Sequence, residues 1–215
     1  MVAQVAHEIR NPLGGVELFT SAAVETGDPV ERARFLAKVR SEISALNRII
    51  DDFLTFARPL RPEDDLHDIR EPVREAAELM ELRVRQDGGE LSLDLPEEVL
   101  MARADPEHVK RITLNLLRNA AQAGRNVTLK GEHYRGEVVL SVCDDGPGVP
   151  QELEERIFEP FVTDKEQGAG LGLAIVKRLV EANHGRVELR NGENSIGEGA
   201  EFKVYFRGAE DLPLR

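Results

Sequence analysis

The sequence predicts an α-helical hairpin followed by an α+β sandwich, with a mixed, mostly antiparallel sheet and helices on one face. Three observations predict it. Apolar residues keep an unbroken four-three spacing over most of residues 2–57. The stretch "RPLRPEDD" at 58–65 then breaks that pattern with two prolines and mixed charge. Beyond it, short alternating segments interleave with capped helical ones. The expected domains are therefore 1–58, a linker at 59–69, and 70–215.

Residues 2–26 read as a helix whose seam is Val5, Ile9, Pro12, Val16, Phe19 and Ala23. "TGDPVE" then supplies a turn. Asp28 is an N-cap, Pro29 suits the first helical position, and Glu31 is placed to complete a capping box. The next helix runs to about Ala57, with Leu36, Val39, Ile43, Leu46, Ile50, Phe53 and Ala57 in register. One such hairpin has too little core to stand alone. Two packed as a four-helix bundle bury both seams, so a homodimer is expected.

In the second region, 71–86 reads as a helix and "ELSLDL" at 90–95 alternates like a strand. "VLMARA" is a short strand, after which Asp105 caps a helix from Pro106 to Ala123. "NVTLKGEHY" and "GEVVLSVCDDG" read as paired strands. A helix starts near Gly170 and ends at the "HG" of 184–185, and "RVELRN" with "AEFKVYF" closes the domain as a hairpin.

Composition bounds the partners. The chain has 215 residues and a formal charge of −12. That charge argues against nucleic acid or an anionic membrane as the main partner, although a local basic patch for a phosphate remains compatible. Cys143 stands alone, which excludes an intramolecular disulfide and favours a cytoplasmic setting. No apolar run approaches the roughly 18 residues needed to span a bilayer. Direct membrane contact is not expected of this stretch, and any anchor of a full-length protein would lie outside it.

Three motifs carry chemistry. "DDGPGV", Asp144 to Val149, ends an apolar strand. Gly146 and Gly148 allow a sharp turn and close approach of backbone to a ligand. A carboxylate there can accept a hydrogen bond from an exocyclic amine, and an ordinary Asp-Gly turn reads the same. In "GAGLGLAIV", Gly168, Gly170 and Gly172 open an apolar helix, where free N–H groups make an anion site. A Rossmann turn fits poorly because no strand ends just before it. A lid hinge fits as well. Asn115 and Asn119 in "NLLRNAAQAG" share one helix face. Their carbonyl oxygens suit Mg²⁺, and local hydrogen bonding would also account for them.

The order "NLLRNA", "DDGPG", "IFEPF", "GAGLGLA" resembles the N box, first glycine box, F box and second glycine box of sensor histidine kinases. The wider resemblance is to the ATPase superfamily of DNA gyrase, the heat-shock chaperone ATPase, histidine kinases and MutL. It implies that Asn119 ligates Mg²⁺ and that Asp144 binds the adenine amine in a pocket shaped by Gly146 and Gly148. It implies that Asn115 replaces the water-activating Glu of other branches. Phe158 and Phe161 would anchor the base of an ATP lid, and Gly168, Gly170 and Gly172 would contact phosphates. Many members carry a Lys where Gln122 stands. "NAAQAG" with "FVTDKEQGAGLGL" is more similar to the nitrogen-regulator subgroup, in which Lys165 would be the lid's phosphate contact. Ala200 stands where many members have a Thr, so a hydroxyl contact is missing.

"HEIRNP" resembles the H box, whose His receives the phosphoryl group. His7 takes heptad position f, the outermost. Glu8 could accept its proton or fix its tautomer, and Asn11 lies one turn away on the same face. Arg10 has no assigned role. Pro12 removes a helical N–H and frees the carbonyl of Glu8, which favours a bend. Gly14 and Gly15 each weaken the helix by about 1 kcal/mol relative to Ala, and either mobility or close packing would explain them.

The resemblance implies a kinase core that binds MgATP, phosphorylates its own His7 and passes the phosphoryl group to an Asp of a response regulator receiver domain. It suggests a regulator of the enhancer-binding activator type, and a regulator phosphatase activity through Asn11. Two rivals use the same motifs. One is an ATPase of this superfamily driving conformational change, against which Asn115 and the H box speak. The other is a degenerate kinase acting as a dimeric nucleotide-binding scaffold, against which the full set of motif residues speaks.

Overall fold

The computed structural model describes residues 2–57, 59–60, 65–163, 170–194 and 196–209. The side chains of residues 2–5, 7, 193 and 194 lie outside that description. Two compact units result, Met1–Arg58 with Thr163–Leu171 and Pro59–Val162 with Gly172–Arg215.

The first unit is a hairpin of α1 (Val2–Glu25) and α2 (Pro29–Ala57). Asp28 caps α2 by accepting the Val30 N–H at 2.9 Å, with Pro29 at the first helical position. The capping box expected of Glu31 does not form. Its carboxylate accepts the Thr26 hydroxyl at 2.9 Å, and the Asp28 N–H donates instead to Thr26 Oγ1 at 3.2 Å. Thr26 competes because its hydroxyl can donate to Glu31 while accepting from the backbone. Arg32 closes the other side of the turn by donating to the carbonyls of Ala23, in the last turn of α1, and of Thr26, just after it. Those groups end a helix and have no intrahelical partner.

The seam holds, with a shift on α2. Pro12, Ala23 and Ile49 are buried, and Lys38 stacks over the Phe19 ring at 4.7 Å. Glu42 passes over Gly15, where an added Cβ would sit 3.0 Å from its Cγ, so a larger residue would have to push this flexible side chain aside. Gly14 faces open space. The helix α1 runs unbroken through Pro12. On α2, Leu36, Ile43 and Ile50 remain exposed at a spacing of seven.

The second unit is a two-layer sandwich. Its elements are β1 (Leu66–Asp68), α3 (Arg70–Gln86), β2 (Glu90–Asp94), β3 (Met101–Arg103), α4 (Pro106–Ala123), β4 (Asn126–Tyr134), β5 (Glu137–Asp144), α5 (Gly172–Ala182), β6 (Arg186–Asn194) and β7 (Gly197–Arg207). The main sheet has the order β2-β4-β5-β7-β6, and only the β2–β4 pair is parallel. The remaining two strands, β1 and β3, pair antiparallel beside it.

Strand β1 lies inside the stretch read from sequence as a linker. It is three residues long and mixed in polarity, so it has no period to recognise. Its anchor is Asp68, whose carboxylate accepts the Arg70 and Leu100 N–H groups and pairs with the Arg70 guanidinium. The Arg70 side chain is the main reason this carboxyl sits below the usual carboxylate range, against the opposing effect of burial.

Alternation decides which sheet face meets the helices. Val127 and Leu129 of β4, Leu140 and Val142 of β5, and Val204 and Phe206 of β7 are buried on one face. Val73, Ile112, Leu116, Ile175 and Leu179 of α3, α4 and α5 are buried as their counterparts. The opposite face carries charge. Arg186 stacks 3.7 Å over the Tyr205 ring and pairs with Glu137 and Glu188.

Candidate functional site

The helix α4 begins where Asp105 accepts the N–H groups of Glu107 and His108 at 2.9 and 3.3 Å. Its apolar positions are buried, and Asn115 is buried with them at 5% exposure. Asn119 follows one turn later and is half-buried. Both amides meet the start of α5. An ideal Cβ on Gly172 would lie 3.8 Å from Asn115 Oδ1 and 3.9 Å from the Asn119 amide atoms. The missing side chain thus leaves room between two amides and a helix N-terminus, where backbone N–H groups and the dipole favour an anion.

Asp144 ends β5 and is 2% exposed. Its Oδ1 accepts the Gly146 N–H at 3.0 Å and the Ala200 N–H at 3.4 Å. The Ala200 backbone therefore reaches the carboxylate although its side chain has no hydroxyl. Gly146 packs against the end of α4, with no room for a Cβ 2.6 Å from the Ala123 carbonyl oxygen. Gly148 has φ +76° and lies under the Asn191 side chain. The two glycines of this loop are thus required by close contact with protein as well as by the turn.

Two polar side chains hold the loop. Asp145 accepts the Arg125 N–H at 2.7 Å, the Asn126 N–H at 2.9 Å and the Asn126 Nδ2 at 2.7 Å. Burial pushes its carboxyl up, but the hydrogen bonds from Asn126 and Arg125 outweigh this and hold it below the usual carboxylate range. Asn191 of β6 accepts the Val149 N–H at 2.8 Å and donates to the Val149 carbonyl at 2.6 Å and Glu154 Oε1 at 2.8 Å. Sequence reasoning missed both. Asp145 lay within a quoted motif without an assigned role, and Asn191 contacts residues about forty positions away with no periodic signal.

Phe158 meets Phe202 edge-on, with ring centroids 6.3 Å apart and planes at 89°. Phe161 adopts φ 68°. Gly170 has φ 59°, which suits glycine. Lys165 and Gly168 lie outside the described residues. Among the described residues, no cluster of His, Cys, Asp and Glu forms a metal cage, and no helix is long and apolar enough to cross a membrane.

In the hairpin unit, His7 lies within α1 and its side chain is outside the description. Beside it Glu8 is half-buried, and its Oε2 is buried with no hydrogen-bond partner among the described residues. That burial raises its carboxyl above the usual carboxylate range. Asn11 and Arg10 are exposed.

Residues 104–210 match the family described as histidine kinase-, DNA gyrase B-, and HSP90-like ATPase. Residues 1–61 match the His Kinase A (phospho-acceptor) domain. The sensory histidine kinase/phosphatase NtrB of Salmonella typhimurium is 29% identical over 100% of this chain and 62% of its own length. Other curated relatives are spanned to only 29–45% of their length. The solved structure of full-length ShkA in complex with AMPPNP is 33% identical with a TM-score of 0.67, covering 99% of this chain and 47% of that one. That of histidine kinase ThkA with response regulator protein TrrA is 28% identical with a TM-score of 0.79, covering 99% of this chain and 62% of that one. A phospho-acceptor model and a histidine kinase-type ATPase model thus match the chain one after the other, and the chain belongs to the sensor histidine kinase family.

Proposed function

We propose that the chain is the catalytic core of a sensor kinase, which binds MgATP in the sandwich, phosphorylates its own His7 and passes the phosphoryl group to an aspartate of a response regulator. The observation that carries this reading is the convergence of Asn115 and Asn119 on Gly172 at the start of α5, beside a loop that holds the buried Asp144. Residues 1–58 are proposed as the phosphotransfer hairpin and the sandwich that begins with β1 as the ATP-binding domain, so that the link ends before Leu66 and not at 69.

Asp144 is proposed to accept the adenine amine. The N-terminus of α5 and Gly170, with Gly168 and Lys165, would bind the phosphates. Phe158 and Phe161 would anchor the base of the lid. The donor set fits magnesium, because neutral amide oxygens add no charge to an ion that already shares the phosphates. Asn119 is proposed as its ligand, with Asn115 beside it, and the ion when bound neutralises charge on the phosphates. Asn115 has no basic site, so it cannot deprotonate a water, which favours transfer to a protein over hydrolysis.

An imidazole nitrogen of His7 attacks the γ-phosphorus in line, the bond to the bridging oxygen breaks, and ADP leaves. The ring proton passes to Glu8, whose raised carboxyl is a better proton acceptor than a solvated one. Phosphohistidine then gives its phosphoryl group to the regulator's carboxylate. Asn11, exposed one turn from His7, is proposed to orient a water in the reverse, phosphatase direction. The exposed row of Leu36, Ile43 and Ile50 on α2 supports a homodimer.

Chasing isolated, γ-labelled kinase with a receiver domain tests the proposal. The expected result is loss of label from the kinase and its appearance on the receiver. Steady phosphate release with no labelled protein at any time would instead support an ATPase of this superfamily.

A further inference from the structure

Asp145 lies beside the residue that is proposed to read the base, yet its carboxylate turns away from Asp144. It binds the turn between α4 and β4 through the Arg125 N–H, the Asn126 N–H and the Asn126 amide. Its own N–H returns a bond to the Asn126 carbonyl at 3.3 Å. One side chain thereby fastens the loop after β5 to the residues that follow the Asn115–Asn119 helix.

The contact is tight on both sides. Gly124 ends α4, and a Cβ there would collide with the Asp145 carboxylate and lie 2.9 Å from the Gly146 nitrogen. A Cβ on Gly146 would in turn strike the Ala123 carbonyl. The Gly146 N–H is the group that fixes Asp144 Oδ1 at 3.0 Å. Thus the clamp made by Asp145 sets the position of the N–H that orients Asp144. Asp144 Oδ1 accepts one N–H from this loop, that of Gly146, and one from β7, that of Ala200, so the loop path bears directly on where the carboxylate points.

We propose that Asp145 is a positioning residue for nucleobase recognition, tying the α4–β4 turn to the first glycine loop so that the Asp144 carboxylate is aimed at an exocyclic amine. This rests on the reading of Asp144 as the adenine contact. The consequence is specific to the base. Loosening the clamp weakens a nucleotide that offers an amine, and leaves one without an amine unaffected.

The test compares ATP with inosine triphosphate, which has a carbonyl where adenine has its amine. Equilibrium binding of both is measured on the full 215-residue chain and on D145N, N126D and the double swap D145N/N126D. D145N removes the charge and can keep at most a neutral amide–amide bond to Asn126, since either terminal amide can turn. The swap restores a carboxylate–amide bond with its direction reversed.

For the parent chain, ATP should bind more tightly than inosine triphosphate. D145N should lose about tenfold in ATP affinity, the scale of a charge-assisted hydrogen bond, with inosine triphosphate affinity unchanged. The double swap should recover ATP affinity to within about threefold of the parent, since the bond it restores is the one lost. Unchanged ATP affinity in D145N, or an equal loss for both nucleotides, overturns the positioning role, as does a swap that rescues nothing. A folded parent chain that binds neither nucleotide would refute the ATP-site reading itself. Thermal unfolding of each variant shows that the compared proteins are folded.

Discussion

Glu8 shows how much a single group's surroundings matter to this chain. A carboxylate on a helix surface is an ordinary thing in a protein with 40 acidic residues. This one is half-buried, has a buried oxygen without a partner among the described residues, and has its carboxyl raised by that burial. As a proton acceptor it works only when ionised, so autophosphorylation should fall as pH drops through its raised pKa. The acid limb of the pH–rate profile should therefore lie above the usual carboxylate range. E8Q should slow label incorporation by about 100-fold, the scale of general base catalysis, and remove Glu8's own contribution to that limb. A variant with an unchanged rate and profile would leave Glu8 a surface residue. Asn11 and Arg10 need no such environment, being exposed.

Among the elements, the junction of α4 and α5 is the best-tied. Asn183, 3% exposed, accepts the Asp105 N–H at 2.8 Å and donates to the Leu179 carbonyl and to His108 Nδ1. Truncation to Ala leaves buried partners unmet and should destabilise the sandwich by about 2–4 kcal/mol in urea unfolding. His108 must be unprotonated at Nδ1 to accept from Asn183. Burial lowers its pKa, outweighing the opposing pull of Asp105. The folded value is thus below the ordinary imidazole value of about 6.5, and the unfolded state binds the proton first. Stability should be fully present above that value and be lost as pH falls through the folded pKa. H108Q should flatten this dependence. These ties also show what the sequence could reveal. Asp105 before Pro106, the alternation of β4 and β5, and the Asn pair all depend on neighbours within a few positions. The contacts of Asn183 with Asp105 and of Asn191 with Val149 span 78 and 42 positions and leave no local pattern. Strand β1 escaped for the same reason, since its partner β3 lies more than thirty residues away.

For the molecule as a whole, two features go together: a hairpin that leaves part of its apolar seam open, and a sandwich whose polar amides meet at a helix N-terminus. In the proposed homodimer a second copy covers that open seam. Ile43→Glu places a charge in the exposed row of Leu36, Ile43 and Ile50, at a cost of several kcal/mol if that row is buried between protomers. Sedimentation velocity should show a dimer for the parent chain and a monomer for the variant, and two dimers would place the interface elsewhere. The central claim is that ATP bound by the second unit phosphorylates the histidine of the first. Incubating the chain and its H7A variant with γ-labelled ATP and mapping the label tests this most directly. The parent chain should carry an acid-labile, base-stable label on His7, and a variant that still binds ATP should carry none. A label of the same kind and extent on H7A would contradict the claim.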